Sequence, residues 1–186
     1  MMNRFYLVEG ETEQAFFECL KESRFIAPGK IRKYNLMQKA VTPGEYFLSF
    51  RNPELICVID TDVITANTPD CLAQNLKTLL RVAGSPKKVK LLVQNQNFED
   101  ELCRILQCPK PSLPGRVDSK LKTLKDCKQR LANMHPEDYD RLLKGKPLRR
   151  IPTVYCAKVP DVIQNILKRN NLSALLADPT QIFHIP

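Results

Sequence analysis

At 186 residues and 43% hydrophobic content, the chain is long enough for one domain with a sizeable buried core and needs no covalent staple to fold. No run approaches the roughly 18 consecutive apolar residues of a membrane span, and Met1 to Phe5 leads straight into a strand-like run without a signal-peptide pattern, so a soluble cytoplasmic protein is expected. The net charge of +9 is uneven: residues 1–84 hold ten Lys/Arg and ten Asp/Glu, residues 85–186 nineteen and ten, so the whole excess falls in the second half.

In chain order, Arg4 to Val8 is a short aromatic and β-branched run stopped by Glu9-Gly10, which predicts a buried strand. A helix follows it. Thr12 is placed to cap that helix, Glu11 and Glu13 suit its positive end, and Ala15, Phe16, Phe17 and Leu20 form its apolar face before Pro28-Gly29. Leu55 to Ile59 predicts a second buried strand ending on Asp60-Thr61-Asp62. Thr68-Pro69-Asp70 then opens a helix carrying Leu72, Ala73, Leu76, Leu79, Leu80 and Ala83 at helical spacing. Val89 to Val93 predicts a third strand, running into Gln94-Asn95-Gln96-Asn97 and a helix from Phe98 to Leu106. Strands alternating with helices predict an α/β fold with a parallel sheet flanked by helices.

From Cys108 the character changes, with Pro109, Pro111, Pro114 and Gly115 marking a hinge or loop. The expected division is therefore a core over residues 1–107 and a basic, mainly helical C-terminal part over 108–186 that completes the domain. Within it, Ser119 to Met134 reads as a lysine-rich amphipathic helix and His135 to Asp138 as the start of a short one. Lys144 to Arg150 reads as a basic loop, Val154 to Ala157 as a last strand and Asp161 to Asn170 as a last helix. Seven cysteines include no Cys-x-x-Cys pair and read as reduced thiols. Cys57 suits a strand core, and Cys103 and Cys108 with His135 and His184 make a poor zinc set.

In open parallel α/β sheets the functional crevice lies beyond the carboxyl ends of the strands, where Glu9, Asp60 and Asp62 each fall. Asp60 and Asp62 can flank one hard cation from a single short segment, and Glu13, one turn into the first helix, can complete the cluster. Close-set carboxylates repel one another, which implies a cation, and oxygen-only donors favour Mg²⁺ or Mn²⁺. Such a centre can activate water for attack on a phosphodiester, with Glu9 free to act as general acid or base.

Val8-Glu9-Gly10-Glu11-Thr12-Glu13 resembles the Glu-Gly-x-Thr-Glu pattern of Toprim domains of the OLD and RloB-like kind, and Val58-Ile59-Asp60-Thr61-Asp62 is similar to their Asp-x-Asp strand end. Asn97-Phe98-Glu99-Asp100-Glu101-Leu102 is similar to the acidic segment that follows in those proteins. The resemblance covers about residues 4 to 107. It implies a Toprim-like sheet and a metal-dependent nuclease acting on DNA or RNA, with Glu9, Asp60 and Asp62 catalytic. The same resemblance makes Glu9, Glu13, Asp60, Asp62 and Glu99 metal ligands and gives Gly10 a tight turn. It also implies a toxic effector in anti-phage defence beside an ATPase partner, since this chain has no Gly-x-x-x-x-Gly-Lys-Ser/Thr loop of its own. Val63-Ile64, where relatives carry a further acid or a serine-rich loop, departs from the pattern and puts a second metal in doubt.

Plainer explanations stand beside these. Glu-Gly-x-Thr-Glu alone is also a helix start, and Glu99 also suits an ordinary acidic first turn. The basic half is either a solvated face or a phosphate-binding surface, for which Lys87, Lys88, Lys120, Lys125, Lys128, Arg149 and Arg150 are the candidates. Tyr139 and Tyr155 suit a core better than base stacking, and His135 suits a helix cap. The main alternative function is a non-catalytic, metal-dependent nucleic-acid or nucleotide-binding sensor or regulatory subunit. Primase-like nucleotidyl transfer would need more apparatus than this length provides.

Overall fold

Three short apolar runs and one basic edge segment build the sheet, and the computed structural model describes residues 3–62, 64, 68–143, 150–155 and 159–184. The strands are β1 (Arg4–Val8), β2 (Lys30–Lys33), β3 (Glu54–Ile59) and β4 (Val89–Val93). They lie in the order β2-β1-β3-β4 and every pair is parallel. The register sets Val8 beside Lys33, Leu7 beside Cys57 and Ile59 beside Val93. The parallel α/β sheet flanked by helices is therefore as the alternation of elements predicts.

Period-two alternation divides the core into two layers. Tyr6, Val8, Ile56, Val58 and Leu92 face one side, against α1 (Glu11–Glu22), α3 (Phe98–Leu106), α5 (Leu124–Ala132) and α6 (Pro136–Leu143). Phe5, Leu7, Leu55, Cys57, Ile59, Leu91 and Val93 face the other, against α2 (Thr68–Ala83), Phe47 and α8 (Asp161–Arg169). From β1 the chain moves outward to β2, and from β3 it moves outward the opposite way to β4. The gap between the carboxyl ends of β1 and β3 is thus the topological switch point, where doubly wound folds place their ligand crevice.

The C-terminal part forms no separate core. Cys127, Leu131, Met134, Tyr139 and Leu143 join the same apolar layer as Phe16 and Phe17, and α5 and α6 pack on α1. Phe16 lies 5.0 Å from the Phe98 ring and 5.6 Å from the Tyr139 ring, tying α1, α3 and α6 together. A short helix, α4 (Leu113–Val117), leads into α5.

Several local expectations change. Lys30-Ile31-Arg32-Lys33 is a strand that its composition hides, because at this sheet edge only Ile31 is buried. The helix expected from Ser119 begins at Leu124, since the Thr123 side chain caps it by accepting the Asp126 amide. Thr12 does not cap α1. Gly10 holds that position, and Thr12 is turned inward with its carbonyl facing the Tyr139 hydroxyl. The strand expected at Val154 to Ala157 is contradicted at its start, where α7 (Arg150–Tyr155) is helical; residues 156 and 157 lie outside the described residues. The edge of β4 that such a strand would take is occupied by the 176–177 segment, with the Ala177 amide donating to Leu91 O at 2.9 Å. Among the described residues no helix is long and apolar enough to cross a membrane.

Candidate functional site

Glu9 leaves β1 and Asp60 leaves β3, so adjacent parallel strands deliver both carboxylates to the switch point. Burial pushes the Glu9 carboxyl up to about 7; the backbone amide of Asp60 opposes this, and the charges of Glu13 and Asp62 add to it. One Glu9 oxygen, Oε2, accepts the Asn35 side-chain amide at 3.0 Å, while Oε1 is buried with no hydrogen-bond partner. Asp60 is pushed further, to about 9, by burial and then by the charges of Glu13, Glu9, Asp62 and Glu99; its Oδ1 is likewise buried without a partner.

Glu13 is buried on the first turn of α1, and burial raises its carboxyl despite hydrogen bonds from its own amide and that of Gly10. Reaching back to the residue that caps the helix is half of a capping box, so Glu13 has a structural task beside any ligand role. It also explains Gly10. The backbone there is extended, at φ −120°, and needs no left-handed turn. A Cβ at that position would lie 2.5 Å from Glu13 Oε2, so a side chain there would displace the Glu13 carboxylate, and glycine serves space and not conformation.

The Asp60-Thr61-Asp62 segment is held by the polar run after β4. The Thr61 hydroxyl donates to Gln94 O at 2.9 Å and accepts the Gln96 amide at 2.9 Å. Gln96 O in turn accepts the amides of Thr61 and Asp62 at 2.7 and 3.0 Å, with Gln96 in the left-handed region at φ 83°. Asn97 caps α3 through Oδ1 and donates from Nδ2 to Asp62 Oδ2 at 3.1 Å. Behind the loop, fully buried Glu101 accepts the Asn95 amide at 2.6 Å and Arg104 donates to Asn95 O at 2.8 Å. Arg104 Nη1 also lies 2.7 Å from Glu101 Oε2, close for an ion pair but not aligned for a hydrogen bond. We predict that Thr61→Val, which keeps shape but strands two polar partners, lowers stability by about 1–3 kcal/mol in urea unfolding. An unchanged midpoint would show that the loop does not depend on this hydroxyl.

Glu99 is buried at the start of α3, and Lys128 from α5 reaches it at 2.9 Å. Burial works against the Lys128 ammonium, but its hydrogen bond to Glu99 and the charges of Glu99, Asp62 and Glu13 raise its pKa overall. The structure therefore brings together Glu9, Glu13, Asp60, Asp62 and Glu99, with Lys128, among the described residues, as the basic candidate at their rim. Among the described residues no three acidic, histidine or cysteine side chains are arranged to enclose a metal ion as they stand.

Searches against family models, curated proteins and solved structures found no match.

The remaining basic candidates scatter. Lys87 and Lys88 precede β4 and so lie at the opposite end of the sheet from the carboxylates, while Lys120 and Lys125 are exposed before and on α5. Arg149 and the Arg150 side chain lie outside the described residues. Tyr139 is fully buried, donating to Leu131 O at 3.0 Å, and buried Tyr155 accepts the Gln94 amide at 2.9 Å, so neither ring faces a ligand. Asn35, Thr61, Gln96 and Asn97 are site residues that sequence reasoning missed. The only signal for three of them was a polar run directly after a buried strand.

The donor set fits a hard divalent cation. It is made only of carboxylate oxygens, two of them buried without partners, and Mg²⁺ keeps several waters and takes only one or two carboxylates. A wider protein cage is not required.

Proposed function

We propose that this chain is a Toprim-type, Mg²⁺- or Mn²⁺-dependent nuclease that cleaves phosphodiester bonds of DNA or RNA. The observation that carries it is Asp60: a carboxylate at a doubly wound switch point, with an unpartnered buried oxygen, surrounded by four further acids that each disfavour its ionisation. A structural role would leave such a group paired, because an unsatisfied buried acid is costly. Asp60 and Asp62 are the residues that would hold the cation, with Glu13 and Glu99 beside them and Glu9 left off it for proton transfer. The bound cation supplies Lewis acidity toward the phosphate and a water acidic enough to attack near neutral pH.

The chain's own residues account for the rest. Glu9, with a pKa raised to about 7, can take or give a proton near the working pH, and Asn35 holds one of its oxygens in place. Thr61, Gln96 and Asn97 fix the direction of Asp62. Lys128 balances Glu99 and offers positive charge beside the centre.

The test is incubation of the purified protein with end-labelled DNA and RNA in Mg²⁺, Mn²⁺ or EDTA. Cleavage that needs the cation supports the reading. Binding without cleavage of any substrate in either metal would overturn it and leave a metal-dependent binding module. An ATPase partner and an anti-phage role belong to the same proposal, and co-expression with a neighbouring ATPase followed by the same assay addresses them.

A further inference from the structure

A second surface, apart from the carboxylates, combines an exposed aromatic ring with basic groups that have no carboxylate partner among the described residues. Edge strand β2 buries Ile31 under α1 and exposes Lys30, Arg32 and Lys33. Alternation sends Lys30 and Arg32 to the opposite face, where the 3-10 turn Tyr46–Ser49 crosses. The Tyr46 side chain is 48% exposed there. Arg32 Cζ sits 5.3 Å from the centre of its ring, and Lys30 Nζ is 4.8 Å from the ring centres of both Tyr46 and Phe50. Phe50 meets Tyr46 edge-on at 5.0 Å and Phe5 supports it at 6.1 Å, so the exposed ring is held by the core.

Charge pairing around this patch is selective. Lys33 is bonded to Glu11 at 2.8 Å and Lys39 to Glu45 at 2.9 Å, yet Lys30 and Arg32 have no carboxylate partner among the described residues. Lysines alone would suffice to protect an edge strand from pairing with another chain. They do not explain an exposed tyrosine whose hydroxyl accepts the Lys30 ammonium at 2.5 Å and whose ring lies beside Arg32, two cations that no carboxylate neutralises among the described residues. That combination is what nucleobase stacking with phosphate neutralisation requires, on aromatic rings and on guanidinium planes.

We propose that Tyr46, Arg32 and Lys30 form a binding platform for single-stranded nucleic acid, one base stacking on the Arg32/Tyr46 pair and flanking phosphates meeting the two cations. Bases in a duplex are stacked on each other and cannot lie on this ring, so the ligand is a single strand. The platform is also wired to the carboxylate edge. β2 runs beside β1, the Tyr34 amide donates to Val8 O at 2.7 Å, and Asn35 bonds Glu9. From Lys30 to Lys33 the strand covers about 10 Å, a span of two or three nucleotides. Binding stands on the platform alone. Its use in feeding a strand to the acidic centre rests on the nuclease reading.

The chain has no tryptophan, so Tyr46→Trp places a unique fluorophore at the site. The full-length variant is titrated with dT and U oligonucleotides, with a duplex of mixed sequence, and with heparin as a polyanion without bases. Saturable quenching by the single strands and none by heparin is expected. In anisotropy titrations of the otherwise unaltered protein, Tyr46→Ala and Arg32→Ala each weaken single-strand binding by about 5- to 150-fold, whereas Tyr46→Phe retains it. Equal quenching by heparin, or affinities within twofold of wild type in both alanine variants with thermal stability intact, would overturn the platform. If Tyr46→Ala fails to fold, Arg32→Ala and the indole signal decide. Asp60→Asn separates the two ideas: binding kept with cleavage lost supports both, platform-dependent binding by a wild type that never cleaves sinks only the nuclease, and cleavage indifferent to Tyr46→Ala and Arg32→Ala sinks only the feeding role.

Discussion

Glu9→Gln and Asp60→Asn should each abolish cation-dependent cleavage while leaving the metal-free protein folded and more stable. Both changes keep the shape of the side chain and remove an acid whose ionisation burial and neighbouring acids already oppose. For Glu9 the expected loss of rate is about 10²- to 10⁴-fold, the usual worth of a positioned general acid or base. Stability should move the other way. In a chain of this size a gain of about 1 kcal/mol raises the melting temperature by about 2–4 °C, so metal-free scans at pH 8 should show both variants melting above the wild type. Lost activity with a lower melting temperature would mean that these carboxylates hold the fold together, and the reading of the centre as a destabilised functional site would fail.

The second large effect is a linkage between pH, cation and stability. Asp60 and Glu9 titrate near 9 and 7 in the folded chain, above the ordinary carboxylate range in which they titrate when unfolded. Between those limits the native state holds protons that the unfolded chain has released, so metal-free stability falls as pH rises and the loss levels off only above about pH 9. A cation that binds the ionised carboxylates displaces those protons, so its stabilising effect grows with pH. At 100 times its dissociation constant a ligand contributes about 2.7 kcal/mol, or roughly 5–10 °C for this length. Differential scanning fluorimetry in EDTA and in Mg²⁺ or Mn²⁺ from pH 5 to 9 measures both slopes. A metal-free melting temperature flat across that range, or a cation shift that shrinks with rising pH, would sink the linkage.

Much of the fold was legible because buried parallel strands are short apolar runs stopped by polar residues. β1, β4 and α3 fall on the expected boundaries and β3 begins one residue early. β2 was not legible, because an edge strand with one buried residue in four carries no hydrophobic period. The helical content of 150–155 was hidden by its β-branched residues, which local propensity assigns to strand and tertiary packing does not. At the site, sequence order and strand ends located Glu9, Asp60 and Asp62. What it could not show was the support. Asn35 and Lys128 reach Glu9 and Glu99 from remote parts of the chain, 26 and 29 residues away, and the brace from Thr61 to Gln96 spans 35. Contacts at such separations leave no local pattern.

The shared core of α1, α5 and α6 has a consequence during synthesis. A nascent chain that has emerged only as far as residue 107 carries every acid of the centre but none of Cys127, Leu131, Met134, Tyr139 and Leu143, which cover Phe16 and its neighbours. Such a chain exposes the apolar side of α1 at the helix that presents Glu13, so the centre cannot settle until the last third of the protein has left the ribosome. Under the proposed nuclease function, partial translation products and degradation fragments would then carry no activity. A fragment of residues 1–107 should accordingly be digested by protease under conditions where the whole chain resists, and a resistant, compact fragment would show that the acidic half matures alone.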